Sequence, residues 1–385
     1  MILWAGSILY LKRVVNQPTA VRAETDSAIE ISCRGVWKVF GQHPHRVIDT
    51  LNERQSRQAT LRSTGHVIAV RDASFEVRKG ETFVVMGLSG SGKSTLVRCM
   101  CRLTEPTRGA IVIGDRDIVT LDEAELRQLR RRRMSMVFQH FGLFAHRRVI
   151  DNVAYGLEVQ GMARRSRLAR AQDMIELVGL SGWEQHYPNQ LSGGMQQRVG
   201  LARALTVDPD ILLFDEPFSA LDPLIRRELR SELVKLQQTM HKTIVFITHD
   251  FAEALELGER IAIMRDGQFV QIGSPEQLIT APADDYVSAF TRDVSRLTVL
   301  TVSSIMRDCE QVGQAVSSDE SGTVLPAGTR LADALPALVE RETPVLVANH
   351  DNNVVGCVDR AALVEALVAN TSARSPNGRA ESPAT

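Results

Sequence analysis

The chain has 385 residues, long enough for one large domain and a smaller one. Its formal net charge of −1 excludes the overall basic field that draws a protein to nucleic acid, and aromatics at 5% argue against stacking platforms for single strands. The five cysteines, Cys33, Cys99, Cys101, Cys309 and Cys357, form no C-x-x-C pair, which suits a reducing compartment and small buried hydrophobes rather than a disulfide framework.

Residues Met1 to Leu11 are apolar and are followed by Lys12 and Arg13. That run is far shorter than the ~20 residues a membrane-spanning helix needs. It also lacks the leading basic region and cleavage site of a secretory signal, so residues 1–28 are expected to be a disordered extension. Alternation at Ile29–Ser32 and Val36–Phe40 predicts strands, Gln42–Gly65 a helical insertion, and Val67–Val70 and Ala73–Val77 further strands.

The apolar run Thr82–Met86 then leads into Gly87-Leu88-Ser89-Gly90-Ser91-Gly92-Lys93-Ser94-Thr95, followed by a helical pattern from Leu96 to Leu103. G-x-x-x-x-G-K-[ST] between a strand and a helix is a phosphate-binding loop. Its glycines let consecutive backbone N–H groups turn inward as an anion nest at a helix N-terminus. Lys93 is placed to reach the terminal phosphates, Ser94 to ligate Mg²⁺, and Thr95 to add a hydroxyl near the first phosphate. A nucleoside triphosphate is the implied ligand.

Beyond the loop, a strand is expected at Ala110–Ile113, a helix at Leu121–Arg133 and a buried strand at Met134–Phe138 that stops at Gln139. The four arginines Arg130–Arg133 read as cations at a helix C-terminus, favourable to the helix dipole. From about residue 140 to 205 the pattern is mostly helical, with loops at Gly161 and Ser181–Leu191. The apolar strand Ile211–Phe214 ends in Asp215-Glu216. A helix at Pro223–Thr239, a buried strand at Thr243–Thr248 ending at His249, and a hairpin around Asp266-Gly267 complete an alternating α/β domain. Asp215 is placed to hold Mg²⁺ and Glu216 to polarise an attacking water. Composition changes near residue 296, and helix, strand, turn, strand and helix recur between Arg330 and Val368. The Ser-, Pro- and Ala-rich residues 369–385 are expected to be a disordered tail.

Leu191-Ser192-Gly193-Gly194-Met195-Gln196-Gln197-Arg198 adds a second anion-binding helix start. With it the chain resembles the ATP-binding cassette (ABC) ATPases. The phosphate loop, Gln139, the Leu-Ser-Gly-Gly signature, Asp215-Glu216, Ser219-Ala220-Leu221-Asp222 and His249 occur in the family's order. The resemblance implies a P-loop NTPase fold with a helical subdomain at about 140–205, an ABC ATPase domain at 29–295, and ATP and Mg²⁺ as ligands. It implies a head-to-tail homodimer in which Ser192, Gly193 and Gly194 of one copy close on the γ-phosphate held by Lys93 of the other. Gln139 is then the link between Mg²⁺, water and the helical subdomain, His249 the γ-phosphate contact beside Glu216, and Asp222 the organiser of the dimer contact. Phe40 resembles the aromatic that stacks on adenine, with Trp37 the alternative.

One cassette without a membrane segment looks like the ATPase subunit of an importer. The stretches Phe40–Pro44, Met86–Gly92 and Pro282–Val287 resemble the glycine betaine/proline family of importers. That resemblance implies integral membrane permease subunits as partners, a periplasmic or surface solute-binding protein acting indirectly, a place on the cytoplasmic face of the cell membrane, and no nucleic acid. Choline, carnitine or an amino acid is the alternative solute. In that family the tail carries paired cystathionine-β-synthase (CBS) modules. Residues 330–368 resemble one such module within a partial CBS-like region at 296–368, whose role in sensing, dimerisation or neither stays open.

Overall fold

The computed structural model describes residues 28–50, 56–139, 142–309, 323–340, 343–349 and 351–368. The expected N-terminal extension, apart from residue 28, and the C-terminal tail lie outside the described residues. The chain divides into two compact units after Ile272.

In the first unit, strand β1 (Ile29–Phe40) pairs antiparallel with β2 (Val67–Arg78) on one side and β4 (Arg108–Ile113) on the other, and β5 (Arg116–Asp117) extends this sheet. Each of β1 and β2 reads as two short strands in the sequence, yet each is continuous. The apparent breaks are β-bulges: the β1–β2 register shifts between Cys33 and Val36, where Gly35 has φ 57°, and again between Val36 and Lys38, where Asp72 of β2 has φ 49°. The insertion forms helices Pro44–Thr50 and Arg57–Thr64, and residues 51–55 between them lie outside the described set. Ile48 anchors it against Val39, Ile68 and Trp37.

The second sheet has six strands in the order β10-β9-β3-β8-β7-β6. These are β3 (Thr82–Met86), β6 (Met134–Val137), β7 (Ile211–Asp215), β8 (Thr243–Thr248), β9 (Arg260–Arg265) and β10 (Gln268–Gly273), with β6, β7, β8, β3 and β9 mutually parallel. The strands β3, β7 and β8 are buried along their whole length, as continuous apolar runs in a covered parallel sheet must be. Asp266 and Gly267, at φ 51° and 87°, turn β9 into β10 in the left-handed conformation that a two-residue hairpin needs.

One core joins both sheets. Phe75 of the antiparallel sheet stacks on Phe83 of the parallel one at 5.1 Å, and Leu96, Val97 and Met100 of the helix Lys93–Met100 are buried with them. That helix packs against β1 and β2 as well as β7 and β8. The segment 149–206 supplies helices Val149–Val153, Tyr155–Val159, Arg164–Leu177 and Gly193–Thr206. Of the four arginines, Arg130 donates to the carbonyls of Cys101 and Arg102, and Arg133 pairs with Glu30 and Asp210. These two are structural ties as well as charges at a helix end.

In the second unit, β11 (Val324–Pro326), β12 (Val345–Ala348) and β13 (Val354–Val358) form one sheet with helices Leu331–Glu340 and Arg360–Val368. Its core includes Leu300, Leu331, Leu338, Val347 and Leu363. The unit begins earlier than the composition change near residue 296. The helix Pro275–Thr280 belongs to it, because Glu276 accepts hydrogen bonds from both the backbone and the hydroxyl of Thr301, at 2.9 and 2.7 Å.

Phe246 tests the parallel-sheet core. It is fully buried and lies 5.6 Å from Phe214 and 5.7 Å from Phe218. Phe246→Ala is expected to cost about 3–5 kcal/mol, seen as a lower urea midpoint for the first unit, with far-UV circular dichroism retained below the transition.

Candidate nucleotide site

The site begins where β3 runs out. Gly87 sits at φ 151°, and a Cβ there would lie 2.2 Å from the Met264 carbonyl oxygen; on Gly92, at φ 108°, it would lie 2.0 Å from that of Ala69. Only glycine fits either place, so the loop is clamped between neighbouring strands and its N–H groups are left to face a ligand. The buried Ser91 hydroxyl has no hydrogen-bond partner among the described residues. An unsatisfied buried donor beside such a nest fits a phosphate oxygen.

Lys93 is 3% exposed and donates to the carbonyls of Gly87 at 2.9 Å and Leu88 at 3.1 Å. Burial pulls its pKa down, and the Glu216 carboxylate, 3.5 Å away, opposes that shift. Ser94 donates to Asp215 at 2.6 Å, so the two expected oxygen ligands of Mg²⁺ already meet. This hydroxyl–carboxylate pair suits a hard cation. Asp215 is 2% exposed; burial raises its pKa, against the hydrogen bond from Ser94 and the charge of Arg98 at 3.8 Å. Gln139 follows β6, the strand beside β7, and makes no hydrogen bond to Ser94 or Asp215.

Glu216 adopts φ 47°, a left-handed conformation that costs a non-glycine residue about 1–3 kcal/mol and tends to mark functional sites. Its backbone N–H is fixed by the Ile247 carbonyl at 3.0 Å. The side chain reaches Lys93 with one oxygen and His249 Nδ1 with the other, at 3.0 Å. The half-exposed His249 ring thus stands beside the expected base.

Ser192 caps the helix Gly193–Thr206, its hydroxyl accepting from the Met195 N–H. A Cβ on Gly194 would meet Ile225 at 2.6 Å and one on Gly193 would meet Leu221 at 3.4 Å, so the signature abuts the segment carrying Asp222. Ser192 and Gly193 are exposed, and among the described residues no hydrogen bond joins Ser192–Gly194 to the phosphate loop of the same chain. Phe40, at the end of β1, is 45% exposed with the Lys38 ammonium 4.9 Å from its ring centre. Trp37 packs against the insertion cluster, leaving Phe40 the freer face. Thr95 follows Ser94 in the first turn of the loop helix.

Three residues went unread in the sequence. Arg226 binds the Leu221 carbonyl and the Asp250 carboxylate, tying the Asp222 segment to that of His249. Asn152, fully buried, bonds to the backbone of Phe144, Arg147 and Arg148 and fastens the stretch after Gln139. Arg57 of the insertion donates to Gly90. Each works through contacts distant in sequence or to backbone, and no local pattern announces them.

The sequence profile of the family described as ABC transporter matches residues 70–219. The glycine betaine transport ATP-binding protein OpuAA of Bacillus subtilis is 41% identical over 92% of this chain and 96% of its own length. This chain belongs to the ABC transporter ATPase family. The glycine betaine/proline betaine transport system ATP-binding protein ProV of Salmonella typhimurium is 50% identical over 73% of this chain and 70% of its own. A solved dimeric ATP-binding cassette in a post-hydrolysis state with ADP and Pi has a TM-score of 0.54 and 32% identity, covering 63% of this chain and 98% of that one. The ABC ATPase fold expected from the motifs is thereby established, and the phosphate loop belongs to an enzyme that binds and hydrolyses ATP.

The burial of Asp215 gives a signed prediction. A raised folded-state pKa means that ionising this carboxylate costs stability, fully above its folded pKa and not at all below the ordinary carboxylate range. Asp215→Asn should therefore melt higher than the parent at neutral pH without nucleotide. The gain should shrink as pH falls into the carboxylate range, while ATP hydrolysis drops to background.

Proposed function

We propose that two copies of this ATPase, arranged head to tail, energise import of glycine betaine, proline betaine or a related quaternary amine through membrane permease subunits. The observation that carries the catalytic half is the strained Glu216, whose carboxylate lies between Lys93 and His249 at 3.5 and 3.0 Å. There Glu216 accepts a proton from the attacking water, while His249 orients that carboxylate and contacts the γ-phosphate. Lys93 leaves the Gly87 and Leu88 carbonyls to meet the β- and γ-phosphates, Gly87–Gly92 and Thr95 present their donors to the phosphate chain, and Phe40 stacks on adenine. Ser94, Asp215 and Gln139 would hold Mg²⁺, which supplies charge neutralisation for the phosphates when bound.

Ser192, Gly193 and Gly194 of the second copy complete the site, and Asp222, abutting them, orders the contact between copies. Their exposure and lack of a bond to their own loop support that division of labour. ATP drives the cycle to the extent that it binds the closed dimer better than the open one. The stretch from residue 142 to Gly161, fastened by Asn152, passes closure to the permease.

The quaternary-amine assignment rests on the relatives whose names specify glycine betaine or proline betaine. On this reading the ATPase works on the cytoplasmic face of the cell membrane, with a solute-binding protein as an indirect partner and no nucleic-acid role. No helix among the described residues is long and apolar enough to cross a membrane, which supports a peripheral attachment. The second compact unit, with its strand–turn–strand between two helices, serves as a CBS-like module for dimerisation or regulation.

Glu216→Gln is expected to reduce hydrolysis by about 10²–10⁴-fold and to trap an ATP-bound dimer, seen as a doubled mass in size-exclusion chromatography with light scattering. Hydrolysis at the parental rate would remove Glu216 from the role of base. In proteoliposomes carrying the permease, a betaine-loaded binding protein should stimulate the parent ATPase; stimulation only by an unrelated solute would overturn the amine assignment.

A further inference from the structure

The insertion between β1 and β2 begins immediately after Phe40 and touches the phosphate loop at Arg57. Ile48 of its first helix packs onto Val39 and Ile68, beside the exposed Phe40 ring. Its second helix lies along β2, and Arg57 at the first turn donates from Nη1 to the Gly90 carbonyl at 2.5 Å. His66 closes the segment at its base, with its ring nitrogens 2.8 Å from the Thr64 carbonyl and 2.6 Å from that of Gln42. The two described helices of the insertion therefore stand one beside Phe40 and the other at the phosphate loop.

We propose that Arg57 is a positioning residue for the ATP polyphosphate, acting through the phosphate loop. A phosphate nest works because its N–H groups converge inward, which obliges its carbonyls to point elsewhere. Three of those carbonyls are held by cations: Gly87 and Leu88 by Lys93, and Gly90 by Arg57. When Lys93 turns to the phosphates it releases its two carbonyls, and Arg57 remains as the cation fixed to the loop's backbone. Gly90 needs that support, since it sits at φ 79° with no atom within 4 Å of where its Cβ would be. An Arg there restrains the loop and adds positive potential beside it.

The inference rests on the loop's being the ATP phosphate site, which Lys93→Ala tests separately by loss of ATP binding altogether. Arg57→Ala in the full-length chain is expected to raise the KM for ATP about fivefold, as for a half-exposed charged hydrogen bond, with kcat within twofold of the parent. Arg57→Lys should recover part of the loss, since it keeps the charge without the planar fork. Arg62→Ala, an exposed residue in the last turn of the same helix, should match the parent. The ATP KM of the parent should rise more steeply with added salt than that of Arg57→Ala, because the charge is screened in one and absent in the other. Direct binding of a non-hydrolysable ATP analogue, followed by fluorescence, separates affinity from turnover.

The proposal is overturned by a parental KM in Arg57→Ala. A fall in kcat at unchanged KM, or identical salt slopes in the two proteins, overturns it as well. If Arg57→Ala loses nucleotide-free thermal stability, Arg57→Gln decides the matter: a parental KM in that variant assigns Arg57 to folding alone.

Discussion

The clamping of the phosphate loop between strands is the constraint on which everything else in the first unit depends. Gly87 and Gly92 each lie where a Cβ would strike a neighbouring carbonyl, Met264 in one case and Ala69 in the other. Those carbonyls belong to β9 and β2, so the loop is held by the parallel sheet and the antiparallel sheet together. The helix Lys93–Met100 then has nowhere to lie except between the two sheets, where Leu96, Val97, Cys99 and Met100 are buried. Burial pushes the Cys99 thiol up to about 12, which leaves it an inert packing group. The close approach that makes the loop rigid also makes the two sheets one core.

A second consequence concerns charge. Lys93 and Asp215 are both nearly inaccessible, and burial disfavours the charged form of each. Neither has an ideal partner: Lys93 has backbone carbonyls and a carboxylate at 3.5 Å, Asp215 a hydroxyl and a guanidinium at 3.8 Å. The arrangement is electrostatically unfinished: neither charge has a full set of close partners within the chain. A fold that stores poorly compensated charge at the ends of its strands is less stable empty than it would be with neutral residues there, and correspondingly more responsive to its ligand.

The fold was legible wherever a single segment contained its own signal. The apolar runs Ile211–Phe214 and Thr243–Thr248, the Asp266-Gly267 turn and the glycine spacing of the loop are local, and the structure places each as a strand, hairpin or nest. Legibility failed where pairing decides. The bulges at Gly35 and Asp72 made continuous strands read as broken ones, because a bulge is defined by register against a partner strand. The tie from Glu276 to Thr301 shifted the boundary between compact units, and nothing near residue 276 distinguishes it from a surface acid. Within the site, the pairs Ser94–Asp215 and Glu216–His249 could be foreseen from motif order, whereas Arg57, Asn152 and Arg226 act on backbone carbonyls, which any sequence offers at every position.

Arg226 shows how these hidden ties bear on function. It joins the Leu221 carbonyl, one residue before Asp222, to the Asp250 carboxylate, one residue after His249. A Cβ on Gly193 in the signature would lie 3.4 Å from Leu221, and His249 Nδ1 lies 3.0 Å from Glu216. Gly193, Leu221, Arg226 and Asp250 thus form a run of neighbours from the exposed signature to the residue adjoining the Glu216–His249 pair. These residues all lie within one compact unit, so the exposed signature and the Glu216–His249 pair are connected through side chains above the sheet.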